Sequence, residues 1–189
     1  MTNVWMDARE RTMVEKYLNP EAVMFEWGSG GSTSHFSKLV KHLYSVEHHA
    51  GWVAQVSEDL VQQNITNVTL YHKKGEPGQE PYHQSTYEDY REYVDAIKIP
   101  NTKFDVIFID GRARRLCALK AIEYLTESGV VVMHDWCTRP PYWCVLDYYD
   151  LIEKVDDTPQ TIAIFKPKPD WKTLKGYTLD LGSFERLEG

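Results

Sequence analysis

Short apolar runs alternate along the chain with segments of helical periodicity, and no other feature of the sequence constrains the fold as strongly. Five such runs are predicted to be strands: residues 22–25, 43–47, 68–72, 104–109 and 129–133. The segments between them predict helices over 34–41, 51–62, 87–97 and 114–126. Strands that alternate with helices form a parallel sheet through right-handed crossovers. The sequence therefore predicts an α/β fold with a mostly parallel sheet.

The ends of the chain add a helix and a hairpin to this pattern. Apolar positions recur at helical spacing from Met6 to Leu18, so residues 1–19 are predicted to hold a leading helix. Residues 20–166 are predicted to form the core. It closes with strands near 145–155 and 161–165, whose close spacing indicates an antiparallel hairpin. Residues 167–189 are a C-terminal extension. The 189 residues suit one domain, and 73–85 is predicted to be a loop or lid.

Composition narrows the class of protein. The formal net charge of −7 argues against a grip on the phosphate backbone of nucleic acid, which depends on clustered Lys and Arg. No apolar stretch approaches the ~18 residues of a membrane span, and the polar start differs from a signal peptide, so we expect a cytoplasmic protein without a membrane partner. The three cysteines lack the spacing of a disulfide framework or zinc site. The oligomeric state cannot be predicted.

Residues able to bind ligands or move protons stand where the predicted strands end. Glu26 and the turn Gly28–Thr33 follow the first strand, and Glu47 ends the second. Asp110 follows the fourth strand, and His134 and Asp135 follow the fifth. Ligands of open α/β sheets bind at the carboxyl ends of the strands. One site at this edge of the sheet is therefore predicted.

The glycine-rich turn and Glu47 indicate a nucleoside. Glycines let the backbone approach a ligand closely, and the turn opens a helix whose amides point at that ligand. An acid at the end of the second strand is placed to accept hydrogen bonds from both ribose hydroxyls. A dinucleotide oxidoreductase is one alternative, but its G-x-G-x-x-G fingerprint needs a glycine where this chain has Thr33. A non-catalytic nucleotide-binding Rossmann-like module is the other alternative.

Over residues 20–166 the sequence resembles the class I Rossmann-like S-adenosylmethionine-dependent methyltransferases, most of all the small-molecule and sugar O-methyltransferases. The matching segments are 25–33, 44–47, 104–111 and 131–136. The resemblance implies a three-layer fold with a seven-stranded sheet, and transfer of a methyl group to a hydroxyl of a sugar, glycan or other small molecule. The implied residues for binding S-adenosylmethionine are Glu26, Gly28, Ser29, Gly30, Gly31, Ser32, Glu47, His48 and Asp110. The adenine pocket is expected around His48-His49 and Tyr71-His72.

Asp110, His134 and Asp135 are the predicted catalytic residues. Asp110 and Asp135 end neighbouring strands, and catechol- and macrolide-sugar-type relatives use acids at similar positions to hold Mg²⁺, so these two residues are the candidate metal ligands. Trp136 stands where the catechol type has an asparagine ligand, which leaves a metal-free site as the alternative. In that case His134 is the candidate general base, unless its role is to cap its strand and bond to Asp135.

Four residues are the candidates for binding the acceptor. Arg112 and Arg114 belong to a cluster with Arg115, and they either face an acidic or hydroxyl-rich acceptor or pair with Asp110 or a surface carboxylate. Trp136 and Tyr142 either form an apolar wall of the acceptor pocket or belong to the core. The predicted partner is thus a small-molecule or glycan acceptor.

Overall fold

The computed structural model of the protein describes residues 4–75 and 86–173. Seven strands form one sheet in the order β3-β2-β1-β4-β5-β7-β6. Strands β1 to β5 are parallel, whereas β7 pairs antiparallel with both β5 and β6. The predicted α/β fold with a C-terminal antiparallel hairpin is confirmed. The strands are β1 (Val23–Trp27), β2 (His42–Glu47), β3 (Val68–His72), β4 (Phe104–Ile109), β5 (Leu125–His134), β6 (Tyr149–Val155) and β7 (Ile162–Pro167).

The described residues also form five α-helices and several short 3-10 helices, and the first α-helix precedes β1. The α-helices are α1 (Ala8–Glu15), α2 (Gly31–Phe36), α3 (Ala50–Gln62), α4 (Tyr87–Val94) and α5 (Arg114–Ala121). Helix α1 begins at Ala8 because the side chain of Asp7 caps it, and Glu10 completes the capping box. In the described part of the chain, no helix combines the length and apolarity that crossing a membrane requires.

Several predicted boundaries were wrong. The helix predicted over 34–41 starts at Gly31 and ends at Phe36, before a 3-10 helix. Helix α5 ends at Ala121 instead of continuing to residue 126, because Leu125 pairs with Phe104 and so begins β5 before the predicted residue 129. The strand predicted from residue 145 starts only at Tyr149, because Pro140–Asp147 is a 3-10 helix. Glu26 lies inside β1, not after it. Most of the predicted 73–85 lid, and of the C-terminal extension, lies outside the described residues.

The sheet is the middle of three layers. Side chains on one face of β1, including Phe25 and Trp27, pack with residues of α4 and α5. Met24 points to the opposite face and packs with residues of α1 and α2, such as Phe36. Both faces of β1 are thus covered, as the central strands of a parallel sheet require.

The sheet places a crevice between β1 and β4. The chain proceeds outward from β1 to β2 and β3 on one side and to β4 and β5 on the other, so the strand order reverses between β1 and β4. Open α/β sheets bind ligands at this switch point. Here the turns after the two strands touch: a Cβ added to Gly28 would lie 2.5 Å from the backbone nitrogen of Gly111. Gly28 also has a φ of +95°, a backbone conformation that residues with a Cβ rarely adopt.

We predict that Gly28→Ala lowers the free energy of unfolding by about 3 kcal/mol, because the methyl group would strain the backbone and collide with the Gly111 turn. Chemical denaturation measures the loss. Gly30→Ala is the matched control in the same turn. Gly30 is extended, and its added Cβ would meet only Trp52 Nε1, at an ordinary 3.7 Å. We expect that control to change stability by less than about 1 kcal/mol. Equal losses in both variants would contradict the argument.

Candidate active site

A cavity of about 710 Å³ lies at the carboxyl ends of the central strands. Most of the predicted site residues line it: Gly28, Ser29, Gly30, Gly31, Ser32, Glu47, His48, Asp110, Arg112, Arg114, His134 and Asp135. Glu26, Trp136 and Tyr142 do not line it, although all three were predicted to contact the cofactor or the acceptor. The structure therefore brings together one site from four strand ends.

Glu26 lies beneath the glycine turn. Its carboxylate is fully buried and accepts hydrogen bonds from the hydroxyls of Ser32 and Thr33, both at 2.5 Å, and of Ser45, at 2.6 Å. Burial raises the pKa of Glu26 to about 7, although the three hydroxyl donors act in the opposite direction. Glu26 thus joins β1, the start of α2 and β2, and it shapes the turn from below instead of forming the cavity wall.

The end of β2 forms a second wall of the cavity. Glu47 is buried, and its Oε1 accepts a hydrogen bond of 2.8 Å from the backbone N–H of His49. The indole of Trp52 donates a hydrogen bond to the carbonyl of Ser29, which ties the start of α3 to the glycine turn. His48, His49 and Trp52 all line the cavity. Of the residues predicted for the adenine pocket, His48 and His49 lie there, while Tyr71 and His72 do not.

Asp110 and His134 form an ion pair at the ends of β4 and β5. Nδ1 of His134 lies 2.9 Å from Oδ1 of Asp110. Burial opposes ionisation of Asp110, but the hydrogen bond from His134 and the charge of Arg114 outweigh burial and lower its pKa. Burial likewise opposes a charged His134, yet its hydrogen bond to Asp110 and the nearby carboxylates raise its pKa. Both shifts favour a carboxylate facing an imidazolium.

Arg114 joins the two strand ends. Its guanidinium donates to the carbonyls of Asp110, Gly111 and His134. It also lies 3.1 Å from Oδ1 of Asp110 and 3.2 Å from Oδ2 of Asp135. The side chain is 10% exposed. Of the two roles considered for Arg114, pairing with Asp110 is the one that the structure displays. Arg114 also lines the cavity, so contact with the acceptor stays a prediction.

Asp135 occupies an unusual backbone conformation beside the cavity. Its φ is +57°, in the left-handed region, and the carboxylate lies between Arg114 and Arg139, whose guanidinium is 3.0 Å from Oδ2. Ala113, just before α5, is also left-handed at +49°. Such conformations cost free energy and are concentrated at functional sites. Both stand in the turns that carry the charged residues.

His134 is held from both sides of its ring. Nε2 is buried and accepts or donates no hydrogen bond among the described residues, and it lies 3.9 Å from Oε2 of Glu10. Glu10, on α1, is fully buried and bonds to the hydroxyl of Thr158 and the backbone of Asp7. Neither ring nitrogen of His134 thus opens directly onto the cavity. This geometry favours a positioning role over the predicted role of general base.

The acidic pair is a poor magnesium site as it stands. Side-chain ligand atoms of Asp110, His134 and Asp135 lie within 4.8 Å of one another, which is close enough for a shared cation. However, Arg114 contacts both carboxylates and Arg139 contacts Asp135. Their positive charges already neutralise the oxygens, and the third member is an imidazole where Mg²⁺ prefers oxygen ligands. The donor set does not fit the magnesium site that the sequence suggested.

The aromatic residues predicted for the acceptor wall belong to the core. Trp136 packs against Phe165 and donates its indole N–H to the carbonyl of Tyr142. Tyr142 is buried, with the guanidinium groups of Arg114 and Arg139 over its ring at 6.0 and 5.8 Å. Tyr142 thus supports the arginines.

Sequence reasoning missed cavity residues that come from distant parts of the chain. Trp5, Met6, Arg139 and Gln160 line the cavity beside the acidic pair. Trp5 and Met6 reach it because Glu10 bonds to Thr158 and Arg9 pairs with Asp157 in the β6–β7 turn. These contacts are long-range, and no local pattern indicates them. A signal did exist for Trp52, which lies in the first turn of α3, close in sequence to the predicted His49.

Comparison with known proteins identifies the family of the chain. The family model that matches is that of a methyltransferase domain, over residues 25–136. The chain belongs to the methyltransferase-domain family. The matched segment of this methyltransferase includes the glycine turn, Glu47, Asp110 and His134. The other cavity residues Trp5, Met6, Arg139 and Gln160 lie outside it.

Solved structures share the fold of this methyltransferase. A methyltransferase-like protein from Silicibacter pomeroyi is 23% identical, with a TM-score of 0.68 over 92% of this chain and 95% of that chain. A putative methyltransferase from Streptococcus mutans in complex with SAH is 14% identical, with a TM-score of 0.58 over 86% and 100%. An rRNA methylase from Streptococcus thermophilus is 15% identical, with a TM-score of 0.58 over 86% and 98%. No curated protein sequence matches the chain.

We predict that Arg114→Met lowers the free energy of unfolding of the methyltransferase by about 2–3 kcal/mol, because the partly buried Asp110 and Asp135 lose the cation that they share and keep only His134 and Arg139. Urea denaturation measures the loss. Arg91→Met is the control: Arg91 pairs with Glu88 on the surface, where removing a pair costs less than about 1 kcal/mol. Similar losses for both arginines would show that Arg114 does not hold the strand ends together.

A second prediction concerns Glu26, whose pKa rises from 4.5 to about 7 on folding. Between these pH values the folded state binds more protons than the unfolded state, so this contribution to stability is complete at lower pH and is lost as the pH rises to about 7. Relative to Glu26→Gln, the wild type should lose about 3 kcal/mol across that interval. Denaturation at several pH values measures the difference, with Glu127→Gln as the exposed control. A difference that does not change with pH would contradict it.

Proposed function

We propose that this methyltransferase transfers the methyl group of S-adenosylmethionine to a hydroxyl of a small acceptor, such as a sugar, another glycan unit or a small hydroxylated molecule. The observation that supports this most directly is that one cavity is lined by both sets of residues, the glycine turn with Glu47 and Asp110 with Asp135. Its volume of about 710 Å³ is in the range of small-molecule sites, about 300–1,000 Å³.

The first part of the cavity suits the donor. Gly28, Ser29 and Gly30 expose backbone against which the amino-acid portion would lie, and the buried Glu47 would accept hydrogen bonds from the ribose. His48, His49 and Trp52 surround the remaining wall and are our candidates for contact with adenine. Glu26 keeps the turn in shape through its three hydroxyl donors.

The second part of the cavity suits a hydroxylated acceptor. Bound S-adenosylmethionine supplies an electrophilic methyl group on a positively charged sulfur. Asp110 lines the cavity, its Oδ1 is held by His134 and Arg114, and we assign its carboxylate to the acceptor hydroxyl. That carboxylate would orient the hydroxyl and receive its proton as the oxygen bonds to the methyl carbon and the methyl–sulfur bond breaks, which leaves S-adenosylhomocysteine. His134 and Arg114 then act as positioning residues, and Asp135 shares the charge of the arginines.

A small acceptor is favoured over nucleic acid by charge. The net charge is −7, and two of the arginines at the cavity, Arg114 and Arg139, contact Asp110 and Asp135 instead of forming an exposed basic surface. The fold alone does not decide the question, because structures of rRNA methylases share it. The family match favours methyl transfer over the NAD-linked and non-catalytic alternatives.

We predict that Glu47→Gln weakens binding of S-adenosylhomocysteine at least about tenfold, because the amide is a poorer acceptor for ribose hydroxyls than the carboxylate. Isothermal titration calorimetry measures this affinity. Glu127→Gln is the matched control, since Glu127 lies exposed at the start of β5, far from the carboxyl ends of the strands. It should bind like the wild type.

Three outcomes would contradict the proposal. They are wild-type protein that does not bind S-adenosylhomocysteine, tighter binding of NADH than of the methyl donor, and donor binding without methylation of any sugar or phenol tested. In a parallel assay, Asp110→Asn should reduce methyl transfer by about 10²–10⁴-fold while donor affinity falls far less, because the loss concerns the proton acceptor.

A further inference from the structure

A second cavity adjoins the first. Its volume is about 630 Å³, and it shares Trp5, Met6 and Gln160 with the cavity already described. Its other walls come from Val4, the start of α1 and the β6–β7 turn at Thr158 and Pro159. The three shared residues place the two cavities side by side.

Trp5 lines both cavities, and it is unusually exposed for a tryptophan. The residue is 69% exposed, while the neighbouring Met6 is 7% exposed. Leaving so much apolar surface in water forgoes the stabilisation that burying it would provide. A flat indole exposed at the junction of two cavities is the surface on which a ring stacks.

The segment that carries Trp5 is fixed to the rest of the protein. A guanidinium nitrogen of Arg11 donates to the carbonyl of Met6 at 2.7 Å, and Asp7 caps α1. Glu10 accepts a hydrogen bond of 2.6 Å from the hydroxyl of Thr158, across the second cavity. Because these contacts hold the cavity walls, the position of Trp5 is part of the folded structure.

The chemistry of the second cavity favours a neutral occupant. Val4, Trp5, Met6 and Pro159 supply apolar surface, while Thr158 and Gln160 supply polar groups. Among the described residues, no lysine, arginine or histidine lines it, and the carboxylates of Asp7 and Glu10 already accept backbone and hydroxyl hydrogen bonds. An anionic group would meet two carboxylates here, while the nearby guanidinium groups of Arg9 and Arg11 are already bound to Asp7 and to the carbonyl of Met6.

We propose that Trp5 and the second cavity form a subsite for a neutral hydroxylated ring of the acceptor, next to the hydroxyl that is methylated. The ring stacks on the indole of Trp5, and its hydroxyls face Gln160 and Thr158. This inference rests on the proposed function and extends it, because it assigns an acceptor longer than the reacting group alone. It also gives the leading segment a part in acceptor selection.

Binding of small probes to the protein saturated with S-adenosylhomocysteine tests the subsite. The probes are catechol and methyl β-D-glucopyranoside, which are neutral rings, and glycerol, which is an open chain with hydroxyls. We expect both rings to bind more tightly than glycerol. Trp5→Ala should bind the rings about tenfold more weakly, and Trp5→Phe should restore most of the affinity because it keeps a flat face. The readout is the dissociation constant from NMR titration.

Trp143→Ala is the matched control, since Trp143 is 47% exposed but lines neither cavity. It should bind the rings like the wild type, and all variants should keep their affinity for S-adenosylhomocysteine. Equal ring affinity in the wild type and Trp5→Ala would overturn the subsite, as would no preference for rings over glycerol or no ring binding at any soluble concentration. Loss of S-adenosylhomocysteine binding in the wild type would instead overturn the proposed function. Which of the two rings binds better separates an aromatic from a sugar acceptor.

Discussion

The site depends on the contact between the turns that follow β1 and β4. These strands are neighbours at the switch point of the sheet, and Gly28 and Gly111 approach so closely that neither has room for a Cβ. The turn of Gly28 leads into α2, and the turn of Gly111 leads to Arg114. A single close contact between backbones therefore sets how far the donor side of the cavity lies from its charged side.

Two buried ionisable groups hold the two sides in shape by different means. Glu26 is held by neutral hydroxyl donors. These donors do not offset its burial, which raises the pKa of Glu26 to about 7. Arg114 acts through its positive charge, which is one of the causes that lower the pKa of Asp110. The first arrangement suits a turn that must present backbone to a ligand with its own charges. The second keeps the carboxylate of Asp110 ionised, which is the state that its proposed role as acceptor of the hydroxyl proton requires.

The sequence predicted those features that depend on local patterns. The bounds of β3 and β4 agree with the apolar runs, and Glu47, Asp110 and His134 line one cavity because strand ends are readable from the alternation. Tertiary contacts decided the rest. Pairing of Leu125 with Phe104 moved the start of β5, and packing of Trp136 on Phe165 took that ring out of the site. The position of Glu26 before a glycine turn does not indicate its hydrogen-bond partners. These are hydroxyls from α2 and β2, two elements that only the folded chain brings to it.

The charged network at the ends of β4 and β5 is unfavourable for the free energy of folding. This indicates a role other than stabilising the fold. Burying a carboxylate, an imidazole and a guanidinium together generally stabilises a fold less than apolar side chains of the same size would. His134 adds a buried Nε2 without a hydrogen-bond partner among the described residues, and Asp135 adds a left-handed backbone. A fold selected for stability alone would replace these groups. Their presence around Asp110 supports the proposed role of this carboxylate in orienting the acceptor hydroxyl, because orientation achieved during folding does not have to be achieved again in each reaction.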